Sequence, residues 1–285
     1  MKEYFTFNGI CSKDLNMFIV NSGDGYIYNQ LLPQPVQNYE VKKRVIVDRG
    51  SYLPERTISF RVMVETTDHV RLLNAITRWL DTRELKPLIL SREPYKQYYV
   101  RRTGELSPIL YPQAMIIDLQ FLALDSYAYS TFKTGEIDEF LYYDEQYRGS
   151  GLVPDTEYTF LNPEINKSFM IYHGGNTDQC MPTIKIKGTF TNLTIENLTT
   201  GEKCVLNYEA NKDEIIVDCA RKIVLFNGIY SVVGHDGDFI TLKGKSDLFH
   251  DFVHSLDDGM NEIYISSSSS HDIEEISFDF RYVYY

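Results

Sequence analysis

The stretch Thr57-Ile58-Ser59-Phe60-Arg61-Val62-Met63-Val64-Glu65 alternates apolar and polar residues. Ile58, Phe60, Val62 and Val64 fall on one face and Thr57, Ser59, Arg61 and Glu65 on the other, the two-residue period of a half-buried strand. Immediately after it the period changes. Thr67 stands as a helix N-cap with Asp68 in the first turn, and Leu72, Leu73, Ile76, Trp79 and Leu80 recur at helical spacing. Trp79, the single tryptophan, lies on that apolar stripe and reads as core. A second strand runs from Ala114 to Leu124, with Met115, Ile117, Leu119, Phe121 and Ala123 facing one way. Its other face is also largely apolar, which predicts a central strand covered on that side by the helix or a second sheet. Residues 1–134 are thus expected to form an α+β domain, a β-sandwich carrying one helix.

From Lys133 to about Asn166 the periodicity fades into an acidic, Tyr-rich passage broken by Gly149-Ser150-Gly151, Pro154 and Pro163. Turn chemistry of this density predicts a linker over residues 135–165. Beyond it the pattern is all β. Short alternating runs, Ile184 to Lys187, Leu193 to Leu198, Glu214 to Asp218 and Lys222 to Phe226, are separated by turns. Asn227-Gly228 between Phe226 and Ile229 is the strongest hairpin signal, since both residues accept the positive φ of a type I′ turn. The chain ends on Ile276, Phe278, Phe280, Tyr282 and Tyr284 in alternation, and Ser266 to Ser270 reads as a solvated loop before that last strand. Residues 166–285 are expected to form a galectin-like or jelly-roll sandwich, so the fold class is mainly β.

With 43% hydrophobic residues, 22 Tyr and 16 Phe, the 285-residue chain carries ample material for two packed cores. Residues 1–150 hold 18 basic and 19 acidic side chains, a net of −1, whereas residues 151–285 hold 10 and 21, a net of −11. A surface that acidic repels a phosphate backbone, so nucleic-acid and anionic-membrane partners are disfavoured. The start Met1-Lys2-Glu3-Tyr4-Phe5 lacks a signal-peptide apolar run, and no stretch has membrane-span length. A chain made in the cytoplasm is expected, in which the sequons at Asn166, Asn192 and Asn197 carry no consequence. Cys11, Cys180, Cys204 and Cys219 show no CxxC spacing and read as small buried thiols rather than disulfides or zinc ligands.

The motifs that resemble chemistry fail on inspection. Gly244-Lys245-Ser246 looks like the end of a phosphate-binding loop, but Phe239 stands where that loop needs glycine. His173-Gly174-Gly175-Asn176 resembles an esterase oxyanion loop without any GxSxG nucleophile to serve, and reads as a glycine-rich entry to the second domain. His250 and His254, with Asp247 or Asp251, are helix-spaced for a metal but lack a third histidine or cysteine and the HExxH glutamate. His235-Asp236-Gly237-Asp238 lacks the calcium-loop ligand ladder and reads as a hairpin turn. Asp257-Asp258 and Glu274-Glu275 are neighbours in sequence, so on a strand they face opposite ways and cannot make a glycosidase pair by themselves. No catalytic, cofactor-binding or metal residue is assigned, and no cofactor is expected.

What remains is the ordered succession of segments. Phe5-Thr6-Phe7-Asn8-Gly9-Ile10 with Ser12 and Asp14 is followed by Arg56 to Glu65, Trp79-Leu80-Asp81, Tyr98-Tyr99-Val100 and Phe121 to Tyr129. In the second half Pro182-Thr183-Ile184-Lys185-Ile186-Lys187-Gly188 leads to Thr191 to Asn197, Thr199-Thr200-Gly201-Glu202, Glu214 to Asp218, Asn227-Gly228, Gly259-Met260-Asn261-Glu262-Ile263 and Ile276 to Tyr284. This order resembles the distal tail proteins of phages with long, non-contractile tails that infect Gram-positive bacteria. Asp257-Asp258 and Ser126 depart from the family's wording, where proline is more usual.

The resemblance implies a structural, non-enzymatic virion protein of the tail tip, assembled in the host bacterial cytoplasm. It implies a first domain that closes into a homo-hexameric ring and a galectin-like second domain. The implied partners are the tail tube protein above and the tail-associated lysin, tail fibre or receptor-binding protein below. A carbohydrate-binding adhesin contacting the host cell wall is the alternative, since the second half has tyrosines for sugar stacking though no Trp. A cell-wall hydrolase ranks third.

Overall fold

The alternating runs become strands because each buries one face, and in both halves of the chain those faces meet around a core rich in Phe, Ile and Val. The computed structural model describes residues 2–20, 36–41, 45–51, 55–136, 153, 157–231, 234–245 and 258–285. The chain divides into two units, Met1–Ala128 with Tyr285 and Tyr129–Tyr284.

The first unit comprises β1 (Phe5–Phe7), β2 (Ile10–Cys11), a 3-10 turn (Ser12–Leu15), β3 (Met17–Ile19), a separate hairpin β4 (Val36–Val41) and β5 (Val45–Ser51), β6 (Arg56–Glu65), α1 (His69–Leu80), β7 (Lys86–Leu90), β8 (Lys96–Thr103), β9 (Ile109–Tyr111) and β10 (Ala114–Ala123). The strand order is β2-β1-β7-β8-β10-β6-β3, with β9 added beside β10. At the far end the Ile19 amide donates to the Glu3 carbonyl at 2.8 Å, so the sheet curls until its last strand meets the residues leading into β1. One curled sheet thereby supplies both walls of the core.

At the centre, β6 and β10 pair without a slip from Ala114 opposite Glu65 to Ala123 opposite Arg56. Val62, Val64, Met115, Ile117, Leu119, Phe121 and Ala123 are buried as the alternation requires. The outer face departs from expectation. It is not covered by the helix: Asp118 and Gln120 are exposed there, and Arg61 and Asp118 form a paired hydrogen bond across the strands at 2.7 and 3.0 Å. The helix closes the inner face instead. Trp79 stacks on Phe5 with centroids 5.6 Å apart, and its indole N–H donates to the Phe7 carbonyl at 3.0 Å. Phe5, Phe7, Phe60 and Phe121 complete an aromatic cluster around it. The helix is capped one residue later than expected. Asp68, not Thr67, is the N-cap, its carboxylate accepting from the Arg71 amide at 3.1 Å, because a carboxylate both accepts the free N–H and favours the helix N-terminus.

The second unit holds β11 (Ala128–Lys133), β12 (Tyr158–Leu161), β13 (Lys167–Tyr172), β14 (Thr183–Asn197), β15 (Glu202–Asp218), β16 (Ile223–Phe226), β17 (Ile229–Ser231), β18 (His235–Gly237), β19 (Met260–Asp279) and β20 (Arg281–Tyr284). Its main sheet runs β12-β19-β14-β15-β16-β17, with β13 on β19 and β18 on β15, while β11 pairs with β20. Within the passage read as a linker, Tyr158–Leu161 is a strand on β19; residues 137–152 and 154–156 lie outside the described residues.

The separate short runs of the second half prove to be halves of long strands. Ile184 to Lys187 and Leu193 to Leu198 both belong to β14 apart from Leu198, and Glu214 to Asp218 is the end of β15. Register shifts between Gly188 and Phe190 and between Thr191 and Leu193 divide them. The buried positions of β14 change from even (Ile184, Ile186, Phe190) to odd (Leu193, Ile195, Asn197) across that break. An added residue flips the alternation, so the bulges keep the same face buried on both sides. The serine loop is a correction. Ser266 to Ser270 lie inside β19, and Ser267 and Ser268 each donate a hydroxyl to the Thr191 carbonyl at 3.0 Å. Asn227 and Gly228 take φ of 49° and 77° and close the β16–β17 hairpin as expected.

Candidate functional surfaces

His173, set just beyond β13, is fully buried, and its Nε2 accepts the Val283 amide proton at 3.0 Å. Burial outweighs the Lys243 backbone group beside it and pushes its pKa down to about 3. The ring is therefore a neutral acceptor, protonated on Nδ1, with no room for a substrate. A Cβ on Gly175 would stand 2.1 Å from the Val283 carbonyl oxygen, so this loop requires glycine for close packing against β20.

Gly244 and Lys245 pack on the same loop: the Gly244 amide donates to Asp178 Oδ1 at 3.2 Å and the Lys245 amide to the Gly175 carbonyl at 2.8 Å. Ser246 lies outside the described residues, as do Asp247, His250, Asp251, His254 and Asp257. His235–Gly237 is an edge strand on β15 rather than a hairpin turn. Its Gly237 comes so close that a Cβ would meet the Lys203 carbonyl oxygen at 2.3 Å. Glu274 pairs with Lys187 at 2.8 Å, which holds its carboxyl below the usual range. The four cysteines are free thiols, three of them buried, and burial raises Cys204 and Cys219 to about 12. Among the described residues no group of three or more His, Cys, Asp or Glu is placed to hold a metal. No described helix is long and apolar enough to cross a membrane.

One polar constellation escaped the motif search. Asn197 and Asn261 are fully buried at the ends of β14 and β19. The Asn197 amide donates to the Thr241 carbonyl at 2.7 Å and to Asn261 Oδ1 at 3.2 Å. Asn261 Oδ1 also accepts from the Lys243 amide at 2.7 Å, while its Nδ2 donates to the carbonyls of Lys243 and Gly259 at 3.0 and 3.1 Å. Glu202 accepts from the Thr241 amide at 2.6 Å and its hydroxyl at 2.8 Å. The network pins residues 241–243 to the strand ends. Its trace in the sequence is parity: Asn197 follows Leu193 and Ile195, and Asn261 precedes Ile263 and Ile265, each on the buried face.

Among the described residues, two exposed surfaces stand out. In the first unit, β9 lies at an edge with Ile109, Leu110 and Tyr111 exposed to 52%, 59% and 49%. Successive residues of a strand face opposite ways, so both faces of β9 are bare. His69 Nε2 donates to the carbonyls of Tyr111 and Ala114 at 2.8 and 3.2 Å, and Val70 beside it is 74% exposed. In the second unit, the outward face where β13, β19, β14 and β15 meet aligns Ser168, Tyr264, Glu196 and Lys203 in one cross-strand row.

Comparison with known proteins bears on the whole chain. Residues 174–282 match the family of siphovirus-type tail components, C-terminal domain. Among solved structures, the crystal structure of SPP1 Dit (gp 19.1), described as a paradigm of the hub adsorption apparatus in phages infecting Gram-positive bacteria, aligns with a TM-score of 0.68 at 13% identity. The alignment covers 100% of this chain and 100% of that chain. No curated protein matches. Residues 174–282 thus match the siphovirus-type tail component family, and along its whole length the chain has the fold of SPP1 Dit.

Proposed function

We propose that the chain is the structural hub of a phage or prophage tail tip, six copies closing into a ring that joins the tail tube to the host-adsorption apparatus. The observation that carries this reading is the full-length likeness to the SPP1 hub protein together with the family match of the second unit. On this reading the protein is not an enzyme, and its neighbours are the tail tube protein and a tail-associated lysin, fibre or receptor-binding protein. The near-neutral first half, net −1 over residues 1–150, suits packing against copies of itself, whereas the net of −11 over residues 151–285 suits a hydrated periphery.

The contact between copies is assigned to β9. An exposed apolar edge strand is a template for pairing with another chain, and Pro108 and Pro112 at its ends confine that pairing to three residues. Static light scattering on the purified protein tests the ring: six chains of 33.1 kDa weigh about 199 kDa. A mass near that value, with a central channel by electron microscopy, supports it. A monomer at every concentration, both alone and mixed with purified tail tube protein, overturns it.

A further inference from the structure

We propose that Asn8 is a site of spontaneous deamidation, its side-chain amide leaving as ammonia, and that Asn227 in the same local sequence is protected from it. The chain carries Asn-Gly twice, as Phe7-Asn8-Gly9-Ile10 and as Phe226-Asn227-Gly228-Ile229. Both tetrapeptides close a two-residue hairpin, Phe7 pairing with Ile10 and Phe226 with Ile229. Their backbones match: φ is 50° and 77° at Asn8 and Gly9, and 49° and 77° at Asn227 and Gly228. Each asparagine is exposed, and each donates its backbone N–H to a strand carbonyl, Asn8 to Pro87 at 3.0 Å and Asn227 to Glu214 at 2.8 Å. A Cβ on either glycine would meet nothing within 4 Å, so neither turn is crowded.

The two side chains are held differently. Asn227 Oδ1 accepts the Glu214 amide proton at 2.9 Å and its Nδ2 donates to Asp213 Oδ1 at 2.8 Å, so both ends of the carboxamide are fixed. The Asn8 side chain makes no hydrogen bond among the described residues, and its carboxamide can turn. Deamidation begins when the backbone nitrogen of the following glycine, having lost its proton to hydroxide, attacks the asparagine Cγ. The carboxamide nitrogen takes a proton from water and leaves as ammonia, and a five-membered succinimide closes. Water then opens the ring, giving aspartate where the bond to Cγ breaks and isoaspartate where the bond to the main-chain carbonyl carbon breaks. Glycine favours the attack because no side chain shields its nitrogen. Cγ must come onto that nitrogen, a geometry that the unheld carboxamide of Asn8 reaches directly and that of Asn227 reaches only by breaking two hydrogen bonds. Isoaspartate at position 8 would pass the chain through an extra methylene in a turn of only two residues, next to the Phe7 carbonyl that accepts the Trp79 indole proton. The reaction consumes only water and does not depend on ring formation.

Peptide mapping by mass spectrometry tests it on the full chain, incubated in mildly alkaline buffer with and without urea at denaturing concentration. Each deamidation replaces an amide NH2 by OH, a gain of about 1 Da on the peptide that carries the site. In the native protein the Asn8 peptide should gain that mass about tenfold faster or more than the Asn227 peptide. In urea the two sites, with the same immediate neighbours, should react within about twofold of one another. Asp213→Ala, which removes the partner of Asn227 Nδ2, should speed native Asn227 several-fold and leave Asn8 unchanged, with circular dichroism confirming the fold. The proposal is overturned if native Asn227 reacts as fast as Asn8, or if native Asn8 stays unmodified over a period in which it reacts in urea. A difference that persists in urea, or no acceleration at Asn227 in folded Asp213→Ala, overturns the protection of Asn227 by its hydrogen bonds.

Discussion

His173 Nε2 accepts the Val283 amide proton across a sequence separation of 110 residues, tying the entry of the second unit to its last strand. The bond requires a neutral imidazole, and burial holds the folded-state pKa at about 3 against an ordinary 6.5. An unfolded chain therefore binds a proton that the folded chain refuses between those two values. Stability from this residue is fully present above pH 6.5 and falls on acidification toward pH 3, with a slope on the order of 1 kcal/mol per pH unit. In urea unfolding at pH 7.5, 6.0 and 5.0, His173→Gln should be less stable at pH 7.5 by about 1–3 kcal/mol. Its loss of stability between pH 7.5 and 5.0 should be shallower than that of the parent. Parallel curves for the two proteins would refute the assignment.

Gly175 sits in the same joint, where a methyl group would stand 2.1 Å from the Val283 carbonyl oxygen. Backbone on both sides leaves nothing flexible to yield. Gly175→Ala should lower stability by about 2 kcal/mol or more, whereas Gly201→Ala, at a positive-φ turn with open space around it, should cost about 1 kcal/mol. Thermal unfolding of the two variants side by side checks the order.

Asn261 serves four backbone groups and the Asn197 side chain from a position shielded from water. Truncation would leave the Lys243 amide and several carbonyls without partners. Asn261→Ala should destabilise the protein by about 2–4 kcal/mol, since orphaned buried groups carry their full desolvation cost. Amide exchange at residues 241–243 should quicken first. Unchanged exchange there would mean that the strand ends, not the network, hold the segment.

The sequence carried the centre of the first unit because β6 and β10 keep an unbroken two-residue period and α1 keeps a helical one. Trp79 as core followed from the helical stripe alone. The second unit was harder for a definite physical reason. Bulges at Gly188 to Leu193 in β14, matched by shifts against β19, reverse which residues face inward partway along each strand. A strand with an inverted alternation reads as two strands, and the serines of β19 sit where that alternation is lost. The Asn197 and Asn261 network was visible as polar residues at buried parity, but only knowledge of the pairing brings them within 3.2 Å of one another. Neither the curl of the first sheet, closed by Ile19 on Glu3, nor the exposure of β9 has a local signature, because both are set by residues distant in sequence.

The exposure of β9 makes the sharpest prediction about assembly. Ile109 and Leu110 point to opposite faces of an edge strand, and neither is buried in the first unit's core. Charges placed there leave the fold untouched in the isolated chain, because surface substitutions away from buried contacts change stability by about 0.5 kcal/mol or less. Between copies the same charges would be forced against an apolar neighbour and an approaching strand edge, which is how natural sheets prevent edge association. Ile109→Lys combined with Leu110→Glu should therefore keep the parent's melting temperature as a monomer. It should also shift the mass measured by light scattering from the ring value to that of a single chain. An intact ring from this double variant would move the contact between copies away from β9, while leaving the hub reading to stand on the mass of the parent protein.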